Sequence, residues 1–106
     1  MGNITIEEVK KTKGSFPKRT VLDVHVLATV ENVFFKVSDQ SGGIVLSFEK
    51  FPNLTRDVAV GRCIRITSIT KLDQNTVEVS KSSCVGSIPP IPNAKKLEEI
   101  KGMHIV

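Results

Sequence analysis

The run Thr20-Val21-Leu22-Asp23-Val24-His25-Val26-Leu27-Ala28-Thr29-Val30 constrains this chain more than any other stretch. Leu22, Val24, Val26, Ala28 and Val30 fall on one face at period two. Val21, Asp23, His25, Leu27 and Thr29 fall on the other. This alternation, rich in β-branched residues, fits a long pleated strand and not a helix. Glu31-Asn32 then makes a turn, and Val33, Phe35 and Val37 line one face of a second strand. Asp39-Gln40-Ser41-Gly42-Gly43 reads as a hairpin connection, since its glycines can take φ > 0. Ile44, Leu46 and Phe48 line a third strand. Cys63 to Thr70 reads as a fourth strand and Thr76 to Ser80 as a fifth, separated by the polar turn Asp73-Gln74-Asn75. The expected strands span 19–31, 33–38, 43–49, 62–71 and 75–83. Leu22, Val24, Val26, Val37, Ile44, Leu46, Ile64, Ile66 and Val79 are the expected core.

Between the third and fourth strands the alternation breaks. Leu54 and Val58 in Pro52–Val60 are spaced to pack as one short helix or irregular turn, ended by Gly61. At the N-terminus, Ile4–Val9 reads as either a strand or the first turn of a helix, with Thr5 and Glu8 at capping-box spacing. Phe16, before Pro17, is expected to pin this segment to the sheet. After Ser87 the prolines of Ile88-Pro89-Pro90-Ile91-Pro92 read as an extended linker. Asn93 is the expected N-cap of a short helix, Ala94–Lys101, ended by Gly102. Its Leu97 and Ile100 need burial, because so short a helix is marginal alone in water. Either the sheet or a partner supplies it. Residues 1–87 thus read as one domain, and 88–106 as a linker and terminal helix.

Length and composition narrow the function classes. The chain has 106 residues and a net charge of +4, too short for a TIM barrel or a full dinucleotide-binding enzyme. With 40% hydrophobic and 25% charged residues it is neither a disordered tail nor a membrane protein. The N-terminal residues have no apolar signal core, so an intracellular place, nuclear or cytoplasmic, is expected. Cys63 and Cys84 read as small hydrophobes of a reducing compartment, and with His25 and His104 they have no zinc-site spacing. No nucleophile–histidine–acid arrangement, phosphate loop or paired-carboxylate signature is present. No enzymatic activity, cofactor or metal is therefore expected. Lys10, Lys11, Lys13, Lys18 and Arg19 crowd one short stretch, just after Glu7 and Glu8.

A long strand, a hairpin pair, a short helical connection and two strands joined by a polar loop form the element order of an OB-fold. The expected architecture is thus an all-β, five-stranded OB-fold barrel with a short C-terminal helix. An SH3-like barrel competes, but usually lacks the Pro52–Val60 insertion. The run Phe35-Lys36-Val37-Ser38-Asp39-Gln40-Ser41-Gly42-Gly43-Ile44-Val45-Leu46 resembles the second and third strands of nucleic-acid-binding OB domains of the replication protein A type. Val60-Gly61-Arg62-Cys63-Ile64-Arg65-Ile66 resembles their glycine-led entry into the fourth strand. The resemblance spans roughly residues 4–85 and implies a module for single-stranded nucleic acid, DNA more than RNA. In that family, bases stack on aromatics at the end of the third strand and in the loop between strands four and five. Here Phe51 lies near the first place, and the loop Lys71–Thr76 has no aromatic. Alternation turns Phe34 away from Phe35, which makes Phe34 the leading stacking candidate. Lys36, Arg62, Arg65 and Lys71 are the candidate basic track for a phosphate backbone. The competing expectation is a protein-interaction subunit that docks a partner, or a second copy, through Leu97 and Ile100.

Overall fold

The computed structural model describes residues 3–13, 16 and 20–100. Its elements are β1 (Asn3–Ile4), α1 (Ile6–Lys11), β2 (Val21–Val30), β3 (Phe34–Ser38), β4 (Gly43–Ser47), a 3-10 segment (Pro52–Asp57), β5 (Cys63–Ile66), β6 (Ile69–Asp73), β7 (Thr76–Val79), β8 (Val85–Ile88) and a 3-10 turn (Leu97–Glu99). The protein is mostly β. The ladder runs β6-β7-β4-β3-β2-β5-β8, with β1 beside β2, in one eight-stranded sheet. This sheet has eight strands and does not close, so the expected five-stranded, closed or nearly closed barrel is corrected. β4 and β7 pair in parallel, as do β1 and β2; the other neighbours are antiparallel.

The expected fourth strand is two strands. At Thr67-Ser68 the chain leaves the ladder and bonds the 80–84 loop instead: Cys84 N–H donates to Thr67 Oγ1 at 2.9 Å and Ser68 N–H to Ser83 Oγ at 3.3 Å. The same loop ends the fifth expected strand at Val79. β8, which sequence alternation did not mark, then pairs with β5 from Ile66↔Val85 to Cys63↔Ile88.

Glu31 and Asn32 both have positive φ, 57° and 55°. They are the central residues of the turn that Val33 N–H closes on Val30 O at 3.2 Å, within the three-residue connection Glu31–Val33. β2 itself is irregular. Its pairing with β3 passes from Val26↔Val37 to Ala28↔Lys36, leaving Leu27 as an extra residue. Before this bulge Leu22, Val24 and Val26 are fully buried. Beyond it the faces invert, because side chains alternate with period two. Ala28 and Val30 therefore share a side with Lys36 and Phe34, and Val30 is 40% exposed. The expected core face of β2 is corrected at these two residues.

All nine expected core residues are fully buried. Phe35 and Phe48 meet edge to face at 5.4 Å. Leu54, Val58 and Phe16 pack against the core as half-buried residues. Both readings of Ile4–Val9 hold in part, since β1 ends where α1 begins. Thr5 caps α1 in a capping box with Glu8. A six-residue helix needs more than this. Ile6 N–H donates to Asp39 Oδ2 at 2.9 Å and Glu7 N–H to Ser41 Oγ at 3.0 Å. With Glu8 N–H on Thr5 Oγ1, the first three amides of the helix are satisfied. Ile6 and Val9 are thereby fixed in the core.

The expected terminal helix is corrected. Asn93 has φ 60° and caps nothing, Lys96 is extended, and only Leu97–Glu99 makes a 3-10 turn. Tertiary bonds displace the helix. Gln40 Nε2 donates to Pro92 O at 2.6 Å, Ser38 Oγ to Lys95 O at 2.6 Å, and Lys95 N–H to Asp39 O at 3.0 Å. A chain bonded this way through Lys95 cannot turn helical there, and a short isolated helix could not repay the loss. Residues 89–100 instead form a strap over the sheet. Ile88 is the last residue of β8. The expected helix end at Lys101 and Gly102 lies outside the described residues.

Candidate functional site

Two registered rows cross the outer face of β3, β4, β7 and β6. One runs Val30, Phe34, Ser47, Glu78, Thr70; the other runs Ala28, Lys36, Val45, Thr76, Asp73. Val45 and Ser47 are only 2% exposed, so the accessible part is carried by half-buried Ala28, Phe34, Lys36, Thr76 and Glu78 and by exposed Val30, Thr70 and Asp73. Phe34 with Val30 makes a small apolar platform. Lys36 stands two residues along the same strand and, among the described residues, has no ion-pair partner. Glu78 is engaged by Lys50 at 3.7 Å. This face offers a ring and a cation unpaired among the described residues, with uncharged Val45 and Ser47 between them and the acids Glu78 and Asp73.

The six sequence candidates do not form one track. Phe34 and Lys36 come together on β3. Phe51 is half-buried in the connection after β4, where its N–H donates to Phe48 O at 3.1 Å. It lies one residue from Lys50, which reaches Glu78 on the outer face. Arg62 is exposed beside Cys63, Ile88 and Pro90, on the far side of β2 from β3. Arg65 is on that side too, and its guanidinium takes Asp23 in a two-point pair of 2.7 and 2.9 Å. The hydrogen bond first, then the carboxylate charge, raise its pKa above the ordinary arginine value. Lys71 pairs with the core residue Val77, so it leaves β6 on the inner side. Its Nζ donates to Lys10 O at 2.7 Å and Thr12 O at 2.9 Å, closing the carboxyl end of α1. Both cations are thus committed within the protein.

The two tail candidates also separate. Ile100 is half-buried on β4: a Cβ built at Gly43 would lie 2.5 Å from its Cδ1. Leu97 is 44% exposed.

Val30, Val45 and Thr76 were missed. Only the bulge brings Val30 to this face, and a bulge of ordinary residues has no sequence mark. The parallel pairing of β7 with β4 brings Thr76 there, a long-range event.

On the other face of the molecule, a groove of about 650 Å³ runs between Asn3–Thr5 and Ile88 with the strap residues Pro89–Pro92, over the Asp23–Arg65 pair. Asp39, at its rim, is saturated by Ile6 N–H, Ser41 N–H, Ser41 Oγ–H and Gly42 N–H. Among the described residues, no three of histidine, cysteine, aspartate and glutamate gather as metal donors. Among them, too, no helix is long and apolar enough to cross a membrane. Comparisons of the chain with protein-family models, with curated proteins and with solved structures find no match.

Proposed function

We propose that this chain is an OB-fold module that binds single-stranded nucleic acid, DNA by its resemblance, across the outer face of β3. The OB reading is supported by connectivity. β2, β3 and β4 form a meander, β5 returns to β2, and β7 lies parallel on β4. β5 and β6 are consecutive in the chain, and β6 pairs with β7 at the other end of the ladder.

The observation that carries the function is the juxtaposition of Phe34 and Lys36 on one accessible face, with Lys36 unpaired among the described residues. An aromatic platform beside a cation is what single-strand binders use: a base stacks on the ring and a phosphate meets the charge. Phe51 and Lys50 extend the face at the end of β4. Docking of a protein partner through the tail is the second reading, favoured by the exposure of Leu97. Ile100 does not serve it, because Gly43 already receives that side chain.

Phe34→Ala is expected to weaken binding of a labelled oligo(dT) by about 1–3 kcal/mol. Lys36→Gln is expected to lower the log–log salt slope by about 0.7, one phosphate contact on a single strand. Arg65→Ala, measured alongside by fluorescence anisotropy, is expected to change neither quantity. Wild-type affinity in both Phe34→Ala and Lys36→Gln, with circular dichroism intact, would defeat the proposal.

A further inference from the structure

We propose that the carboxyl end of α1 is a second nucleic-acid contact surface, where Lys10, Lys11 and Lys13 hold phosphates of a strand leaving the outer face past the β6–β7 turn. This rests on the function proposed above. The surface lies round the sheet edge from that face, and the pairings give the path. Thr76, in the Lys36 row, follows directly in front of Val77, and Val77 pairs with Lys71. The Lys71 ammonium in turn bonds the carbonyls of Lys10 and Thr12. Because Lys71 leaves β6 on the inner side, a strand lying across β3, β4 and β7 reaches these lysines by rounding the β6–β7 turn.

Lysines at a helix carboxyl end ordinarily serve the helix by meeting its unbonded carbonyls. Here that need is met by others. Glu8 O accepts from Thr12 Oγ1 at 2.7 Å and from Thr12 N–H at 3.0 Å, and Lys71 takes the carbonyls of Lys10 and Thr12. Lys11 and Lys13 are exposed and Lys10 half-buried, and among the described residues none has an ion-pair partner. The helix carboxylates lie at its other end, with Glu8 in the capping box. Asp73 is an acid along the path, and its Oδ1 accepts Asn75 N–H at 2.8 Å. Three ammonium groups that are unpaired among the described residues, two strands beyond β4 from β3 and round the sheet edge, match a polyanion longer than β3 alone would hold.

The test is a salt titration of the whole chain against labelled oligo(dT) of about 16 nucleotides, the upper end of single-domain site sizes. In Lys10→Gln/Lys11→Gln/Lys13→Gln the slope of log Kd against log salt is expected to fall by about 2, at about 0.7 per phosphate. The melting temperature should hold, since among the described residues no hydrogen bond or ion pair uses these ammonium groups. Should the triple variant fold poorly, Lys11→Gln/Lys13→Gln, confined to exposed side chains, is expected to lose about 1.4 of slope. A wild-type slope in a folded variant overturns this second surface and leaves the β3 site standing. Absence of oligonucleotide binding by the wild-type chain overturns both.

Discussion

Asp39→Ala is expected to cost about 3 kcal/mol or more of folding stability, a fall in melting temperature of about 12 °C or more by the scaling for domains of this size. The carboxylate accepts four hydrogen bonds from three residues: Ile6 N–H at 2.9 Å, Ser41 N–H at 2.7 Å, Ser41 Oγ–H at 2.6 Å and Gly42 N–H at 3.1 Å. Bonds to a charged group contribute about 1.5–3 kcal/mol each, and a buried donor left without an acceptor costs about 1–3. Ile6 is fully buried, so water cannot easily replace its acceptor. The same change frees the start of α1, which cannot stand alone at six residues. Ile6 and Val9 would then lose their support. Thermal melts by circular dichroism read the result. A variant melting within about 2 °C of wild type would show that the Asp39 cluster does not hold α1 in place.

Gly43→Ala should have effects of opposite character in two backgrounds. In the full chain the new Cβ would stand 2.5, 2.8 and 3.1 Å from three carbons of Ile100. The whole isoleucine must move, and such overpacking costs about 1–3 kcal/mol. In a chain ending at Pro92 the obstacle is gone. Alanine then relieves the entropic cost of glycine within a strand, so the substitution is expected to be neutral or stabilising by up to about 1 kcal/mol. The truncated chain itself should melt below the full chain, because Ser38 Oγ and Asp39 O lose their bonds to Lys95. Equal destabilisation by Gly43→Ala in both backgrounds would mean that the strap does not rest on Gly43.

The strands were legible wherever one face is core and the other is not. Leu22, Val24, Val26, Ile64 and Ile66 alternate in the sequence as they do in the sheet. Legibility stopped where a long-range partner decides the outcome. Leu27 is bulged by its pairing with β3, and the parity of Ala28 and Val30 inverts with it. Arg65 alternates outward as expected, but only the register Asp23↔Arg65 reveals its partner. Lys71 breaks the apparent alternation because β6 begins anew after the bend at Thr67-Ser68. Ala94–Ile100 carries a real helical spacing, and competing bonds from Ser38, Asp39 and Gln40 override it. Of the candidate site, Phe34 and Lys36 could be read from period two alone. Period two also turns Val45 outward, but only the sheet pairings set Val45 and Thr76 beside Lys36, and only the bulge brings Val30 to Phe34's side.

The central claim is that single-stranded nucleic acid lies across the outer face of β3. Amide chemical-shift mapping of the isotope-labelled full chain, titrated with oligo(dT), tests it most directly. The account predicts fast-growing shifts at Phe34, Lys36, Val45 and Thr76, continuing to Lys10, Lys11 and Lys13, and little change at Asn3–Thr5 and Arg65. Shifts confined to the groove between Asn3–Thr5 and Ile88–Pro92, or no shifts at all at low salt, would contradict it.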